Sequence, residues 1–147
     1  MSNLNDFQIL VERAFKKPTE CTFFESKIHS WISENSEVLS LPYINFVKFK
    51  NSFGFKNMSC SIVSIEGPSD EDLHYHTSWI IALAVKGRGI FEYKNPTNET
   101  QSRSVEKGDI LVLPKGIYHL FQTDGQAFEY IAFEFSDKEI DYQKHLY

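Results

Sequence analysis

Apolar residues along this chain change their period once. Phe7, Leu10, Val11 and Ala14 fall at the spacing of one helix face, and Lys16, Lys17 and Pro18 supply a basic end and a stop. Phe24, Ile28, Trp31 and Ile32 form a second stripe, which predicts another short helix from about Glu25 to Glu34. From Tyr43 onward the pattern alternates, and Gly, Pro and Asn clusters cut it into short strands at Tyr43 to Lys48, Met58 to Glu66, Leu73 to Lys86 and Ile90 to Tyr93. Further strands follow at Ser102 to Val105, Ile110 to Leu113, His119 to Gln122 and Phe128 to Phe135, with Asn95 to Thr100 as a hairpin loop. Short strands without intervening helices predict an all-β antiparallel barrel or jelly roll. The division expected is 1–40 as a helical extension packed on the barrel and 41–147 as the barrel itself.

Composition narrows this picture. At 147 residues, 41% hydrophobic and 15% aromatic, the chain has the size and makeup of one globular domain with a real core. The formal charge of −5, with Lys and Arg scattered singly, argues against a nucleic acid gripped through its phosphates. The polar start MSNLNDFQ and the lack of any apolar run near the roughly 20 residues a bilayer needs predict no signal peptide and no membrane span, hence a cytoplasmic protein. In that reducing setting Cys21 and Cys60 are expected to be free thiols.

The candidate chemistry lies in three histidines. His74 and His76 are separated by one residue, so on a strand both imidazoles project from the same face. His119 follows the turn Pro114-Lys115-Gly116, which ends the apolar run Ile110 to Leu113 opened by Gly108-Asp109. Two strands of a barrel can thus bring three neutral nitrogens to one cation. Carrying the same parity forward turns Ile80, Ala82 and Ala84 inward, and two alanines there favour a ligand-sized cavity over a filled core. A bulge between Thr77 and Trp79 would reverse that parity. Phe121 shares the parity of His119 and is expected on the same wall, while Tyr118 points away. Trp79, Ile81, Leu83 and Val85 then face outward, a patch too large to leave in water; the N-terminal helices or a second copy of the chain must cover it. Asp72 shares the parity of His74 but sits in the acidic run Ser69 to Asp72, read as a solvated loop. His29 and His145 fall outside any motif and are read as surface residues.

These residues resemble the cupin superfamily, the small double-stranded β-helix barrel. Gly108, Pro114, Gly116 and His119 match every fixed position of its second motif, glycine, five residues, proline, one residue, glycine, two residues, histidine. His74, His76 and Gly87 fit its first motif, with Ile80 where glutamate is usual. The resemblance spans Leu73 to about Phe135. It implies a divalent transition metal (Fe, Mn, Ni, Zn or Cu) on His74, His76 and His119, since cupins with three histidines and no glutamate include non-haem iron dioxygenases. Without a carboxylate ligand the ion keeps its full charge, which favours an anionic or polar small molecule. It also implies a homodimer, as many cupins pair through their sheets. The segments GRGIFEY, EKGDILVLPKGIYHLF and FEYIAFEF also resemble the effector-binding domain of AraC-type regulators, itself a cupin. Two functions follow: a metal-dependent oxygenase or isomerase, or a non-catalytic barrel that binds an effector or carbohydrate.

Overall fold

A computed structural model describes residues 4–24, 50–51, 53–66, 72–123 and 125–147. The helix expected at Glu25 to Glu34, the strand expected at Tyr43 to Lys48, and His29 lie outside the described residues. Among the described residues one helix, α1 (Leu4–Phe15), precedes ten strands: β1 (Thr22–Phe24), β2 (Asn57–Ile65), β3 (His74–Tyr75), β4 (Trp79–Lys86), β5 (Arg88–Lys94), β6 (Thr100–Glu106), β7 (Ile110–Leu113), β8 (His119–Gln122), β9 (Phe128–Ser136) and β10 (His145–Leu146). They form two five-stranded sheets, ordered β1-β7-β4-β9-β2 and β10-β3-β8-β5-β6, with antiparallel pairing throughout.

Three features differ from the expected layout. The stretch Leu73 to Lys86 is two strands rather than one: the chain leaves the second sheet after β3, passes through His76, Thr77 and Ser78, and enters the first sheet as β4. The parity survives this crossing, because Ile80, Ala82 and Ala84 belong to the apolar cluster between the sheets with Phe91, Phe121 and Phe128. Secondly, Thr22–Phe24 lies in the span expected to be a helical extension, yet it pairs with β7 as an edge strand, Phe23 opposite Leu111. Thirdly, β10, which the sequence pattern did not reveal, pairs with β3.

The outward residues of β4 are covered by the chain itself. Trp79, Ile81 and Leu83 pack with Val11 and Ala14 of α1, with Phe133 and Phe135 of β9, and with the partly buried Phe15, Phe53 and Phe55. Phe15 lies edge-on to Trp79, with ring centroids 5.0 Å apart, and 4.7 Å from Phe53. Leaving these three and the partly buried Val85 in water would cost on the order of 10 kcal/mol, so this cover is a large share of what holds α1 in place. That face gives no argument for a second copy.

Gly87 turns β4 into β5 at φ +73, and a Cβ there would stand 2.0 Å from the Ala127 carbonyl oxygen. Gly54 has the same φ with nothing within 4 Å. Both alanine variants carry the backbone penalty of a left-handed residue, about 1 kcal/mol, but only Gly87→Ala adds a clash with main chain. Urea unfolding is expected to show Gly87→Ala destabilised by at least about 2 kcal/mol more than Gly54→Ala; equal losses would mean that the close approach of residues 87 and 127 is wrong.

Candidate metal centre

The ladder itself opposes the first two imidazoles, since His74 of β3 pairs directly with His119 of β8. Their ring centroids are 4.6 Å apart, and those of His76 lie 5.0 Å from His74 and 5.3 Å from His119. One nitrogen from each ring falls within 4.8 Å of the other two. Local bonds hold this arrangement. Gly116, in the left-handed region at φ +82, donates its N–H to the His76 carbonyl at 2.9 Å, tying the turn before His119 to the segment after β3. On the other side of β3, Leu146 of β10 pairs with His74 and the Tyr147 N–H donates to the Leu73 carbonyl at 3.0 Å.

The hydrogen bonds decide which nitrogens face the centre. His74 Nδ1 lies 2.7 Å from the Asp72 carbonyl oxygen and His119 Nδ1 lies 2.8 Å from that of Ile117. A carbonyl oxygen only accepts, so both Nδ1 atoms carry the hydrogen, and a neutral ring then offers its Nε2 lone pair. His119 is 4% exposed, and its pKa is pushed down to about 3. Desolvation is the main cause; the Ile117 carbonyl opposes it, and the neighbouring His74, His76 and Lys144 add to the lowering. The ring is therefore neutral across the physiological range, the form that ligates a metal. Three imidazole donors fit a divalent transition metal, whereas magnesium and calcium take oxygen donors. Bonds of about 2.1 Å to one ion would need ring shifts of under about 1 Å.

A cavity of about 190 Å³ adjoins the three rings, walled by Ile80, Ala82, Leu111, Leu113 and Phe121 among others. Ala82 faces Ala132 across the β4–β9 ladder, and this pair of small side chains leaves the space open. Phe121 stacks on Tyr130 at 4.5 Å. Ala84, expected on the same wall, does not border the cavity; it is packed in the interior cluster with Val105 and Phe128. Tyr118 turns away from the rings and meets Tyr75 and Tyr147 edge-on. Asp72 contributes its carbonyl to His74 and leaves its side chain exposed.

Two residues have roles that the sequence reading missed. His145 is no free surface residue: it sits in β10, stacks on Tyr75 at 4.8 Å and bonds Asp141 Oδ2 at 2.9 Å, so it braces the strand carrying His74. Glu134 of β9 lines the cavity at 7% exposure, directly across the ladder from Ile80. The Ser78 hydroxyl donates to its Oε1 at 2.9 Å and the Ser59 hydroxyl to its Oε2 at 3.3 Å. A signal for Glu134 existed in FEYIAFEF, where Phe128, Tyr130, Ala132 and Glu134 share one parity and a carboxylate on an interior face stands out.

The low pKa of His119 has a consequence for stability. Between about pH 6.5 and about pH 3 the unfolded ring binds a proton and the folded ring does not, so the metal-free protein loses stability as pH falls through that window, by up to about 1.4 kcal/mol per pH unit. The loss is expected to be complete near the lower limit, where the folded ring also titrates. Urea midpoints of wild type and His119→Asn, followed from neutral pH to about pH 4, should diverge, with the variant losing less. Parallel curves would show that burial of this ring is not the source.

Comparison with known proteins agrees with this geometry. A family model described as the ARD/ARD′ family matches residues 71–141. The chain is 35% identical over 80 residues to an acireductone dioxygenase of Schizosaccharomyces pombe, covering 48% of this chain and 45% of that protein. It is 37% identical over 94 residues to acireductone dioxygenase 1 of Coprinopsis cinerea, covering 57% and 52%. The chain thus spans about half the length of the curated relatives it matches. Among solved structures, oxalate decarboxylase of Bacillus subtilis superposes with a TM-score of 0.55 at 16% identity, over 61% of this chain and 24% of that one, a likeness of fold alone. Two facing antiparallel sheets, three imidazoles meeting at their interior and these matches have one common reading: the chain has the cupin fold and is similar to the ARD/ARD′ family over residues 71–141.

Proposed function

We propose that the protein is a metal-dependent dioxygenase acting on a small acireductone-type molecule, an enediol next to a carbonyl. The observation that carries this reading is the convergence of three imidazoles at the wall of a cavity. The similarity of residues 71–141 to the ARD/ARD′ family supports it. The cavity, at about 190 Å³, is smaller than the roughly 300–1,000 Å³ of sites for drug-sized ligands, which favours a substrate of few atoms.

In this reading His74, His76 and His119 are the metal ligands, oriented by the carbonyls of Asp72 and Ile117. The cation supplies Lewis acidity and one-electron chemistry toward dioxygen when bound. The chain's own contribution is binding, orientation and exclusion of water. Ile80, Ala82, Leu111 and Leu113 present apolar surface around the substrate, and Phe121 stacked on Tyr130 gives a flat wall for a conjugated molecule. Ile80, in place of the usual glutamate, leaves the ion's charge undiminished by its ligands, which favours an acidic enediol over a neutral ketone.

The test starts with elemental analysis of the purified protein, expected to give close to one transition metal per chain, and with an oxygen electrode in the presence of an acireductone. His119→Ala is expected to lose most of its metal and to slow oxygen uptake by at least about 100-fold, since it removes a ligand outright where loss of an outer partner already costs 10–100-fold. Uptake that is unchanged in the variant, or wild type that binds the reductone without consuming oxygen, would replace the enzyme by a ligand-binding barrel.

A further inference from the structure

We propose that Glu134 is the substrate-binding acceptor of the cavity, taking a hydrogen bond from a hydroxyl of a small molecule whose other oxygens face the metal position between the three imidazoles. This rests on the reading of the site as one for an enediol-type substrate. Glu134 is the sole acidic side chain bordering the cavity among the described residues, and it stands one cross-strand step from Ile80. A carboxylate is thus supplied to the cavity from β9 at the level where β4 carries an isoleucine. It is not a fourth ligand, because the cluster of converging donors comprises His74, His76 and His119 and leaves Glu134 out.

Burial makes this carboxylate informative. A charged group at 7% exposure costs several kcal/mol unless hydrogen-bonded. Ser78, itself 2% exposed, and Ser59 each donate one hydrogen bond, one to each oxygen. A carboxylate has about four lone-pair sites, so acceptor capacity remains on the side that borders the cavity. Both serines hold the group from its own sheet and from the segment after His76, fixing its position relative to the imidazoles. A ligand spanning the two sites needs at least two oxygens for the cation and one further O–H for Glu134. That is the pattern of a reductone, and it is absent from a simple diketone.

The experiment uses the full chain loaded with Ni(II) under argon, so that binding is read without turnover. The probes are reductic acid and cyclopentane-1,2-dione, two five-membered rings that differ by one enolic hydroxyl, titrated by calorimetry. The ratio of their affinities is the readout. A hydrogen bond to a charged acceptor is worth about tenfold to 100-fold, so Glu134→Gln is expected to lower that ratio by at least about tenfold while keeping its nickel. Ser78→Ala, which removes only the better of the two hydroxyl donors, is expected to lower it severalfold and serves if the glutamine variant does not fold. An unchanged ratio in nickel-loaded Glu134→Gln, or loss of nickel from that variant, overturns the assignment and leaves the oxygenase reading intact. Failure of wild type to bind reductic acid overturns both. A ratio that falls as expected in a protein that consumes no oxygen keeps the acceptor and rejects the oxygenase.

Discussion

The cross-strand pairing of His74 with His119 is the constraint on which the site depends. It opposes two residues forty-five positions apart and sets both rings toward the interior. β3 is only two residues long, too short to hold its own register, so the register comes from its neighbours: β8 on one side, β10 on the other, and the Gly116 N–H bonded to the His76 carbonyl beyond its end. The metal centre is therefore built on backbone hydrogen bonds more than on side-chain packing. Because a shift of one residue would turn each ring to the opposite face, this ladder is all-or-none for the chemistry.

A second consequence follows from where the chain crosses between sheets. His76, Thr77 and Ser78 carry it from β3 in one sheet to β4 in the other without loss of parity, so the histidines and the cavity-facing residues of β4 end on the same side of the interior. The same crossing places the Ser78 hydroxyl on Glu134. One short segment thus positions a ring, a wall and the partner of a carboxylate. The outer face of β4 is closed independently by α1, Phe53 and Phe55, which explains why a strand apolar on both faces occurs in a half-open two-sheet fold.

The polar groups at the cavity are the three imidazoles, the Glu134 carboxyl group and Lys144. Burial keeps His119 unprotonated, so this ring offers a lone pair rather than positive charge, and a cation held by imidazoles alone would retain its full charge. Glu134 restores a carboxylate to the cavity without joining the ring cluster, which separates two tasks that one glutamate on β4 would combine: tuning the ion and meeting the ligand.

Much of this was legible in the residues. The alternation from Met58 to Phe135, the turn Pro114-Lys115-Gly116 and the spacing of His74, His76 and His119 determine an all-β fold with its imidazoles and Ala82 on one inner face, because strand parity is a local property of the backbone. Whatever depended on partners distant in sequence was decided only in the tertiary structure. Thr22–Phe24 and His145–Leu146 are too short to show a period, and they become strands because β7 and β3 offer unpaired edges. Ala84 shared the right parity but not the right depth, which is set by how Val105 and Phe128 fill that part of the interior. Glu134 and Ile80 are neighbours solely through the register of β4 on β9. Periodicity states which way a side chain points; the pairing of strands states what it meets there.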